Sequence, residues 1–446
     1  MTATTPVKRR TVFFYGLPGL PLAVLGIPLY VFLPPFYAET VGIAAVGVIL
    51  LAARLWDVVT DPLVGAIGDR LDNRLGRRKT LILIGTPLLL LAVDQLFRPP
   101  DGAGMLHLLG WSFLVYLAWT LVALPYTAWG AELSPDYDQR SSIAGSREGF
   151  VIVGMLLAIA LPAIMVPDGS PGESLAWLAG MLWISVPLAL GATLLLVPEP
   201  RNLLPPVPWR EGLLLLKENR PFFRLLVAYI LNGMANALPA TLFLLFAQHV
   251  LVADDWAGVM LITYFAAGLA GIPLWLWLAR RIGKHRAWAC SMLWAAMIFA
   301  WVPLLGAGDI WPFLGICLMS GLSLGIDMAL PASIQADLVD RDTARGGGQR
   351  TGLFFGLWGM ATKLALALAV GLAFPLLSLS GFDAGASEPD GLLALALLYG
   401  LAPIPFKLAA VWLMWSFPVD RETQQHWQQQ VRELEQVDET GPGLIR

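Results

Sequence analysis

Long apolar runs alternate with short polar segments along the whole chain. Twelve of these runs are long enough to cross a bilayer, because a membrane-spanning helix needs about 20 mainly apolar residues. Lipid cannot satisfy backbone polar groups, so runs of this length are expected to be helical. The predicted spans cover residues 11–37, 41–68, 79–97, 106–132, 147–166, 174–197, 222–250, 255–280, 285–306, 309–338, 350–380 and 391–417.

The Lys and Arg residues divide the polar segments into two classes. Successive segments fall on opposite sides of the membrane, and nearly all Lys and Arg residues fall on the side of the N-terminus. Only Arg98 lies on the other side, while Arg54, Lys363 and Lys407 lie inside spans. Basic residues are enriched on the cytoplasmic side of membrane proteins. The pattern therefore predicts a multi-pass protein of a cell membrane, a bacterial inner membrane, with both termini in the cytoplasm.

Composition narrows the functional classes. Of the 446 residues, 57% are hydrophobic and only 14% are charged, and the mean hydropathy is +0.68. A soluble protein carries about 25% charged residues, which argues against a soluble enzyme. The net charge of −3 provides no basic surface for nucleic acid. Cys290 and Cys317 lie in apolar runs, so neither a disulfide framework nor a metal site is expected. The sequence carries no enzyme motif, and the chain is predicted not to be an enzyme.

Two short patterns recur about half a chain apart. Gly76-Arg77-Arg78 corresponds to Gly283-Lys284-His285, and Glu132 corresponds to Asp337 at nearly the same offset. The agreement predicts an all-α membrane protein with two parallel six-helix halves, an arrangement known among transporters. The expected organisation is an N-terminal bundle (1–197), a cytoplasmic linker (198–221), a C-terminal bundle (222–417) and a cytoplasmic tail (418–446).

The same segments contain candidate gating residues. An arginine follows the acidic residue by eight positions in both halves, Arg140 after Glu132 and Arg345 after Asp337. Basic side chains can pair with acids and with helix C-termini. Such pairs, with Arg77, could hold the cytoplasmic faces together in one transport state and separate in the other. The alternative is that these arginines only set the membrane topology.

Span 2 carries charge in its middle. Asp57 and Asp61 are one helical turn apart and lie on one face, and Arg54 precedes them on nearly the same face. A charge at the bilayer centre costs about 2.5–3.5 kcal/mol and usually marks a pathway. Two neighbouring carboxylates repel each other until a proton or cation binds. The pair therefore predicts a site for Na⁺ or H⁺. The alternative is a structural Arg54–Asp57 ion pair.

Other polar residues inside spans have competing interpretations. Thr120 in span 4 could supply a neutral oxygen ligand, or its hydroxyl could bond its own helix. Lys363 in span 11 needs a partner, and the acids of span 2 are candidates; the alternative is snorkelling to the interface. Lys407 in span 12 is expected to snorkel. Asp327 is a further acid in a span, with no predicted role.

The span 2 motif resembles that of a transporter family. The run from Arg54-Leu55-Trp56-Asp57 to Asp61-Pro62, followed by Asp69-Arg70, is similar to the second helix of the glycoside–pentoside–hexuronide:cation symporters. Pro125-Tyr126, Glu132, Arg140 and Arg147 resemble the family's fourth helix and next loop, and Lys363 falls where the family carries a helix-11 lysine. The resemblance is strongest over residues 14–150.

The resemblance implies a major facilitator fold and cation-coupled symport. In this family the two helix-2 aspartates bind the coupling cation, here Asp57 and Asp61. A helix-4 threonine assists, here Thr120, and the helix-11 lysine links the cation and substrate sites, here Lys363. Arg147 joins the predicted gating residues. Na⁺ or H⁺ is thus the expected coupling ion, and no organic cofactor is expected.

One departure from the family concerns the solute. Sugar-transporting relatives use acidic residues on helices 1 and 4, where this chain has Ala23 and Ala123. Tyr30, Asn232 and Asn236 remain as candidate contacts. The expectation is a symporter of a glycoside-like or other small organic solute, with a lysolipid transporter or an uncoupled facilitator as alternatives. Its expected partners are the solute and membrane lipid, and the protein is expected to be a monomer.

Overall fold

The computed structural model describes residues 6–43, 45–71, 74–166, 170–200, 216–348, 350–382 and 389–440, and the regular elements in these ranges are helices. We number them α1 to α13. They are α1 (residues 9–40), α2 (Val46–Arg70), α3 (Arg77–Phe97), α4 (Met105–Glu132), α5 (Tyr137–Met165), α6 (Pro171–Leu196), α7 (Arg220–Leu245), α8 (Ala257–Ile282), α9 (Lys284–Phe299), α10 (Ile310–Gly321 and Leu324–Asp342), α11 (Thr351–Leu379), α12 (Pro389–Gly400 and Pro403–Trp415) and α13 (Arg421–Thr440).

Ten of these helices are long and apolar enough to cross a membrane, within the part of the chain that is described. The other two of the twelve predicted spans correspond to α1 and α2. Helix α2 has 25 residues, enough to cross, but it carries Arg54, Asp57 and Asp61 in its middle. The chain is thus an all-α, multi-pass membrane protein, and the predicted fold class is confirmed.

Helix α1 is broken into short pieces because it is rich in proline. Pro28 opens a π-helical turn, Pro34 and Pro35 lie in the next short helix, and a second π-helical turn covers Phe36–Thr40. A proline inside a helix removes one backbone hydrogen bond and crowds the preceding turn. A wider π turn absorbs this mismatch locally.

The chain divides into two compact units. The first unit comprises Met1–Lys217, Val339–Met360 and Glu422–Arg446, and the second comprises Glu218–Leu338 and Ala361–Arg421. Helices α10 and α11 therefore contribute their connected ends to the first unit. Predicted linker residues 201–215 and tail residues 441–446 lie outside the described part of the chain.

Each unit has its own apolar core. In the first unit it includes the buried side chains of Tyr15, Phe97 and Trp129. In the second, the ring of Phe246 stacks on Tyr399 with centroids 4.4 Å apart. These cores hold the helices that carry the buried polar residues.

The predicted repeat is visible in the turns before α3 and α9. Gly76 and Gly283 precede these helices with φ of +99° and +90°. This left-handed region favours glycine because a Cβ atom would be strained there. The two glycines let the chain reverse sharply and place a basic residue at the start of the following helix.

Candidate functional site

The two aspartates of α2 converge on one hydroxyl of α4. The Thr120 Oγ1 atom lies 3.0 Å from Asp57 Oδ1 and 2.8 Å from Asp61 Oδ1. All three residues are at most 5% exposed. The prediction that Thr120 contributes an oxygen next to the acids agrees with this geometry, whereas the alternative that its hydroxyl bonds its own helix is wrong.

This arrangement can hold a small cation. The threonine hydroxyl has one proton, so it donates to one aspartate at a time. The second short oxygen–oxygen contact is favourable when a proton or a metal cation sits between the oxygens. Hard cations prefer oxygen ligands, and both carboxylates are acceptors when ionised. We refer to Asp57, Asp61 and Thr120 as the oxygen triad.

Arg54 belongs to the surroundings of the oxygen triad. It lies on α2, three residues before Asp57, and is half-buried. Its guanidinium interacts electrostatically with the Tyr116 hydroxyl of α4. The arginine is thus directed toward the helix that also carries Thr120.

A second polar cluster of the first unit joins the ends of α2, α3 and α4. The Arg77 Nη2 and Arg78 Nη2 atoms each lie 2.7 Å from Glu132 Oε1, and Arg78 Nη2 also lies 2.7 Å from Asp69 Oδ1. These side chains are buried, so their charge-assisted hydrogen bonds are strong. We call Asp69, Arg77, Arg78 and Glu132 the first-unit network.

The first-unit network also holds the start of α11. The backbone N–H groups of Gly352 and Leu353 donate to the Asp69 carboxylate, each at 2.8 Å. Both residues lie in the first turn of α11, where helical N–H groups lack intrahelical acceptors. A carboxylate placed there satisfies them and interacts favourably with the helix dipole.

Two acceptors missed in the sequence analysis complete this region. The Glu199 carboxylate accepts from the backbone N–H groups of Arg78 and Lys79 at 2.7 and 3.1 Å, and so caps α3.

Asp340 accepts from Arg140 Nη2 at 2.9 Å and from Gln424 Nε2 at 3.1 Å. The only sequence signal was an acid following a span, which is common.

The predicted gating residues therefore have different surroundings. Arg140 pairs with Asp340, and Arg147 pairs with its neighbour Glu148. Arg345 is exposed. The gating role of these three arginines stays a prediction.

The acids of the repeat do have matched partners. Asp337 Oδ2 lies 2.6 Å from Lys284 Nζ, with both side chains at most 1% exposed. Lys284 follows Gly283 as Arg77 follows Gly76. Each unit therefore pairs the first basic residue after its turn with the acid that the repeat aligned, Glu132 or Asp337.

The second unit contains a largely buried polar cluster inside the membrane-spanning helices. Lys407 Nζ donates to Asn232 Oδ1 at 2.9 Å and to Asn236 Oδ1 at 2.8 Å. The same asparagines donate their Nδ2 groups to Asp327, at 2.9 and 2.6 Å. Trp288 Nε1 donates to Asp327 at 2.6 Å. We call these five residues the amide cluster.

The expectation that Lys407 snorkels is therefore wrong. Its side chain is only 4% exposed, and its ammonium lies 3.8 Å from Asp327 Oδ2. A charge buried in a membrane helix needs a partner, and two asparagines plus an aspartate meet this need. The signal was present in the sequence, since Asp327 and Lys407 are opposite charges within apolar spans.

Two further predicted residues lie on α11 and α1. Lys363 is half-buried in the part of α11 that belongs to the second unit, and its approach to the acids of α2 stays a prediction. Tyr30 lies in the π turn Pro28–Phe32, and its side chain is outside the described part of the chain. Within the described ranges, no three His, Cys, Asp or Glu residues are grouped as metal ligands.

Comparison with known proteins places these clusters in context. Residues 14–421 match the family described as MFS/sugar transport protein. The sodium-dependent lysophosphatidylcholine symporter 1-A of Danio rerio is 24% identical, over 94% of this chain and 87% of its own length. The glucuronide carrier protein homolog of Escherichia coli is 23% identical, over 87% of this chain and 88% of its own length.

A solved structure has the same fold. The E. coli fucose:proton symporter matches with a TM-score of 0.64 and 15% identity, over 90% of this chain and 98% of that one. At this identity the likeness shows the fold alone. The resemblance to a family of symporters of the major facilitator superfamily is confirmed, and the relatives are transporters rather than enzymes.

Proposed function

The chain belongs to the MFS/sugar transport protein family, and from this premise we propose that it is a secondary symporter. It moves a small organic solute together with Na⁺ or H⁺ across the membrane by alternating access. The observation that carries the proposal is the oxygen triad, in which two buried carboxylates of α2 meet one hydroxyl of α4.

The oxygen triad is proposed as the cation site. Two carboxylates one helical turn apart are costly to bury while both are ionised and unoccupied, because desolvation and mutual repulsion add. A Na⁺ ion or a proton removes the repulsion. Binding of the cation or proton to the oxygen triad is therefore favourable. When water reaches and hydrates the carboxylates, the ion is released. Arg54 and Lys363 are proposed to tune the charge around it.

The solute is proposed to carry polar groups that asparagine can recognise. In the amide cluster, Lys407 can only donate and Asp327 can only accept, so the orientations of both asparagine amides are fixed. Asn232 is buried, whereas Asn236 is exposed. An exposed polar side chain inside a membrane helix is expected to face a water-filled cavity. Asn236 can present its remaining N–H and lone pair there, and Tyr30 is proposed as a further contact.

A glycoside-like solute is the first candidate, and a lysolipid is the second. The named relatives include a glucuronide carrier homolog and a lysophosphatidylcholine symporter. The alanines at positions 23 and 123 replace the carboxylates that sugar-transporting relatives use, which favours a less polar solute. A sugar held by amide groups stays compatible with the amide cluster.

Gating is proposed to involve the ion pairs at the basic ends of the helices. The first unit contributes the ion pair of Arg77 with Glu132, and the second contributes that of Lys284 with Asp337. Each pair is proposed to hold in one transport state and to separate in the other. Arg140 with Asp340 adds a pair that includes the end of α10. Arg147 and Arg345 are proposed to act in the same region. The positive-inside bias supports placing this region and both termini in the cytoplasm.

Uptake into proteoliposomes tests the function. Purified protein is reconstituted into proteoliposomes, and a Na⁺ gradient or a pH gradient is imposed across their membrane in separate experiments. Uptake of a labelled glucuronide and of labelled lysophosphatidylcholine is then measured. The proposal expects gradient-driven accumulation of one solute, lost in Asp57→Ala and Asp61→Ala. Uptake that ignores both gradients and survives both substitutions would instead identify an uncoupled facilitator.

A further inference from the structure

Three glycines of α11 face α2 within the first unit. A Cβ atom added at Gly352 would collide with the backbone oxygen of Gly65, and one at Gly356 would lie 2.6 Å from the backbone oxygen of Asp61. One at Gly359 would lie 2.5 Å from Asp61 Oδ2. Real Cβ atoms essentially never approach another heavy atom to within 3.0 Å. Any side chain at these positions therefore forces the two helices apart or displaces the obstacle.

The obstacle differs among the three positions. At Gly352 and Gly356 it is the backbone of α2, so the glycines there serve close helix packing. At Gly359 it is a carboxylate oxygen of the oxygen triad. Asp61 is thus enclosed from two sides, because its Oδ1 atom accepts from Thr120 of α4 and its Oδ2 atom lies against the backbone of α11.

We propose that Gly359 is a positioning residue for the cation site, which couples cation binding to the packing of α11 on α2. Its missing side chain lets the helix backbone cover Asp61 and hold the carboxylate on Thr120. This inference rests on the proposed symport function, since it assigns Asp61 to the cation.

The physical basis of the coupling is exclusion of water. Covering Asp61 with backbone atoms lowers the local dielectric constant, which strengthens the attraction between the carboxylate and a bound cation. Without a cation, the same cover leaves the carboxylates to repel each other. A cation therefore favours the packed arrangement, and by linkage the packed arrangement raises cation affinity.

Gly359→Ala tests the inference in the purified full-length protein. A methyl group fits there only if Asp61 Oδ2 moves away from α11, so we expect the affinity for the coupling ion to fall at least about tenfold, equivalent to 1.4 kcal/mol. The probes are Na⁺, Li⁺ and H⁺, titrated alone and followed by calorimetry and by the melting temperature. The matched control is Gly371→Ala on the same helix, because a Cβ at Gly371 meets nothing within 4 Å.

A stability cycle separates this role from ordinary helix packing. Gly359→Ala and Gly356→Ala are each measured in the wild-type and Asp61→Ala backgrounds, without added ion. Truncating Asp61 removes the carboxylate that blocks a methyl group at position 359 but leaves the backbone oxygen that blocks one at position 356. We therefore expect the loss in melting temperature to disappear for Gly359→Ala and to persist for Gly356→Ala. Contacting sites show such non-additive effects.

The outcomes assign failure to one proposal or the other. A wild-type protein that binds an ion, with Gly359→Ala binding it equally well, overturns the positioning role and leaves symport intact. Equal destabilisation by Gly359→Ala in both backgrounds overturns the role as well. A wild-type protein that responds to no probe, and matches Asp57→Ala and Asp61→Ala, overturns the symport proposal and this inference together.

Discussion

The two units each bury acidic side chains within membrane-spanning helices, but they surround them differently. In the second unit, Asp327 shares two asparagines with Lys407. The cation beside this carboxylate is therefore the Lys407 ammonium, which is tethered to the protein by its own side chain. In the first unit, the group shared by Asp57 and Asp61 is the neutral hydroxyl of Thr120.

This difference indicates which cluster can exchange an ion. The Lys407 ammonium is covalently attached to α12, so we expect the amide cluster to serve structure and to present amides rather than to exchange an ion. We propose that the two carboxylates and the hydroxyl of the oxygen triad are the oxygen atoms that a mobile cation enters and leaves. The following predictions test this contrast.

The largest expected effect comes from removing the tethered cation. Lys407→Met leaves Asp327 buried without its ammonium, and breaking a buried pair in this way costs about 3–5 kcal/mol. We expect a marked fall in the melting temperature of the purified protein. The double variant Lys407→Met with Asp327→Asn removes both charges and should recover most of the loss. A single variant as stable as wild type would show that Lys407 is not the partner of Asp327.

The acids of the first unit should respond differently. Asp57→Asn and Asp61→Asn each remove a repelling charge, so stability without ions should not fall. Wild-type protein should gain about 2.7 kcal/mol from a coupling ion at 100 times its Kd, and both variants should lose that gain. Thermal shift with Na⁺, Li⁺ and pH measures this. A variant that keeps the full ion-induced shift would remove the contrast between the two units.

The repeat-related ion pairs provide a third test. Glu132 accepts from two arginines, whereas Asp337 has Lys284 as its close ion-pair partner. A hydrogen bond involving a charged group contributes about 1.5–3 kcal/mol. Glu132→Gln and Asp337→Asn should therefore each lower the melting temperature of the purified protein. A variant as stable as wild type would show that its ion pair does not stabilise that end of the repeat.

Much of the fold could be predicted from the sequence because lipid imposes a simple rule on backbone polar groups. Long apolar runs had to be helices, and the repeated glycine-basic turn identified α3 and α9 as counterparts. Boundaries differ most at α5, which begins at Tyr137 rather than near residue 147. Its first turns are polar and amphipathic, so hydropathy alone places the start too late.

The candidate site was only partly predictable. Asp57 and Asp61 stand out because they are charges in an apolar run one turn apart. The link between Asn232 and Lys407 spans 175 positions, and no local pattern connects them. Gly359 gave no signal either, because a glycine in an apolar helix indicates close approach only when the neighbouring helix is known.

The smallest predicted effect sharpens the role of the hydroxyl in the oxygen triad. Thr120→Val keeps the side-chain shape and removes one oxygen, so ion affinity should fall by about 1 kcal/mol, the net worth of a typical hydrogen bond. The matched control is Thr127→Val on the same helix, whose hydroxyl donates to the Ala123 backbone oxygen at 2.7 Å. Ion titration of both variants compares them directly. Because the Thr127 hydroxyl bonds within its own helix, its loss should leave ion affinity at the wild-type value. If the two variants behave alike, the Thr120 hydroxyl does not bind the ion, and the carboxylates must hold it with other ligands.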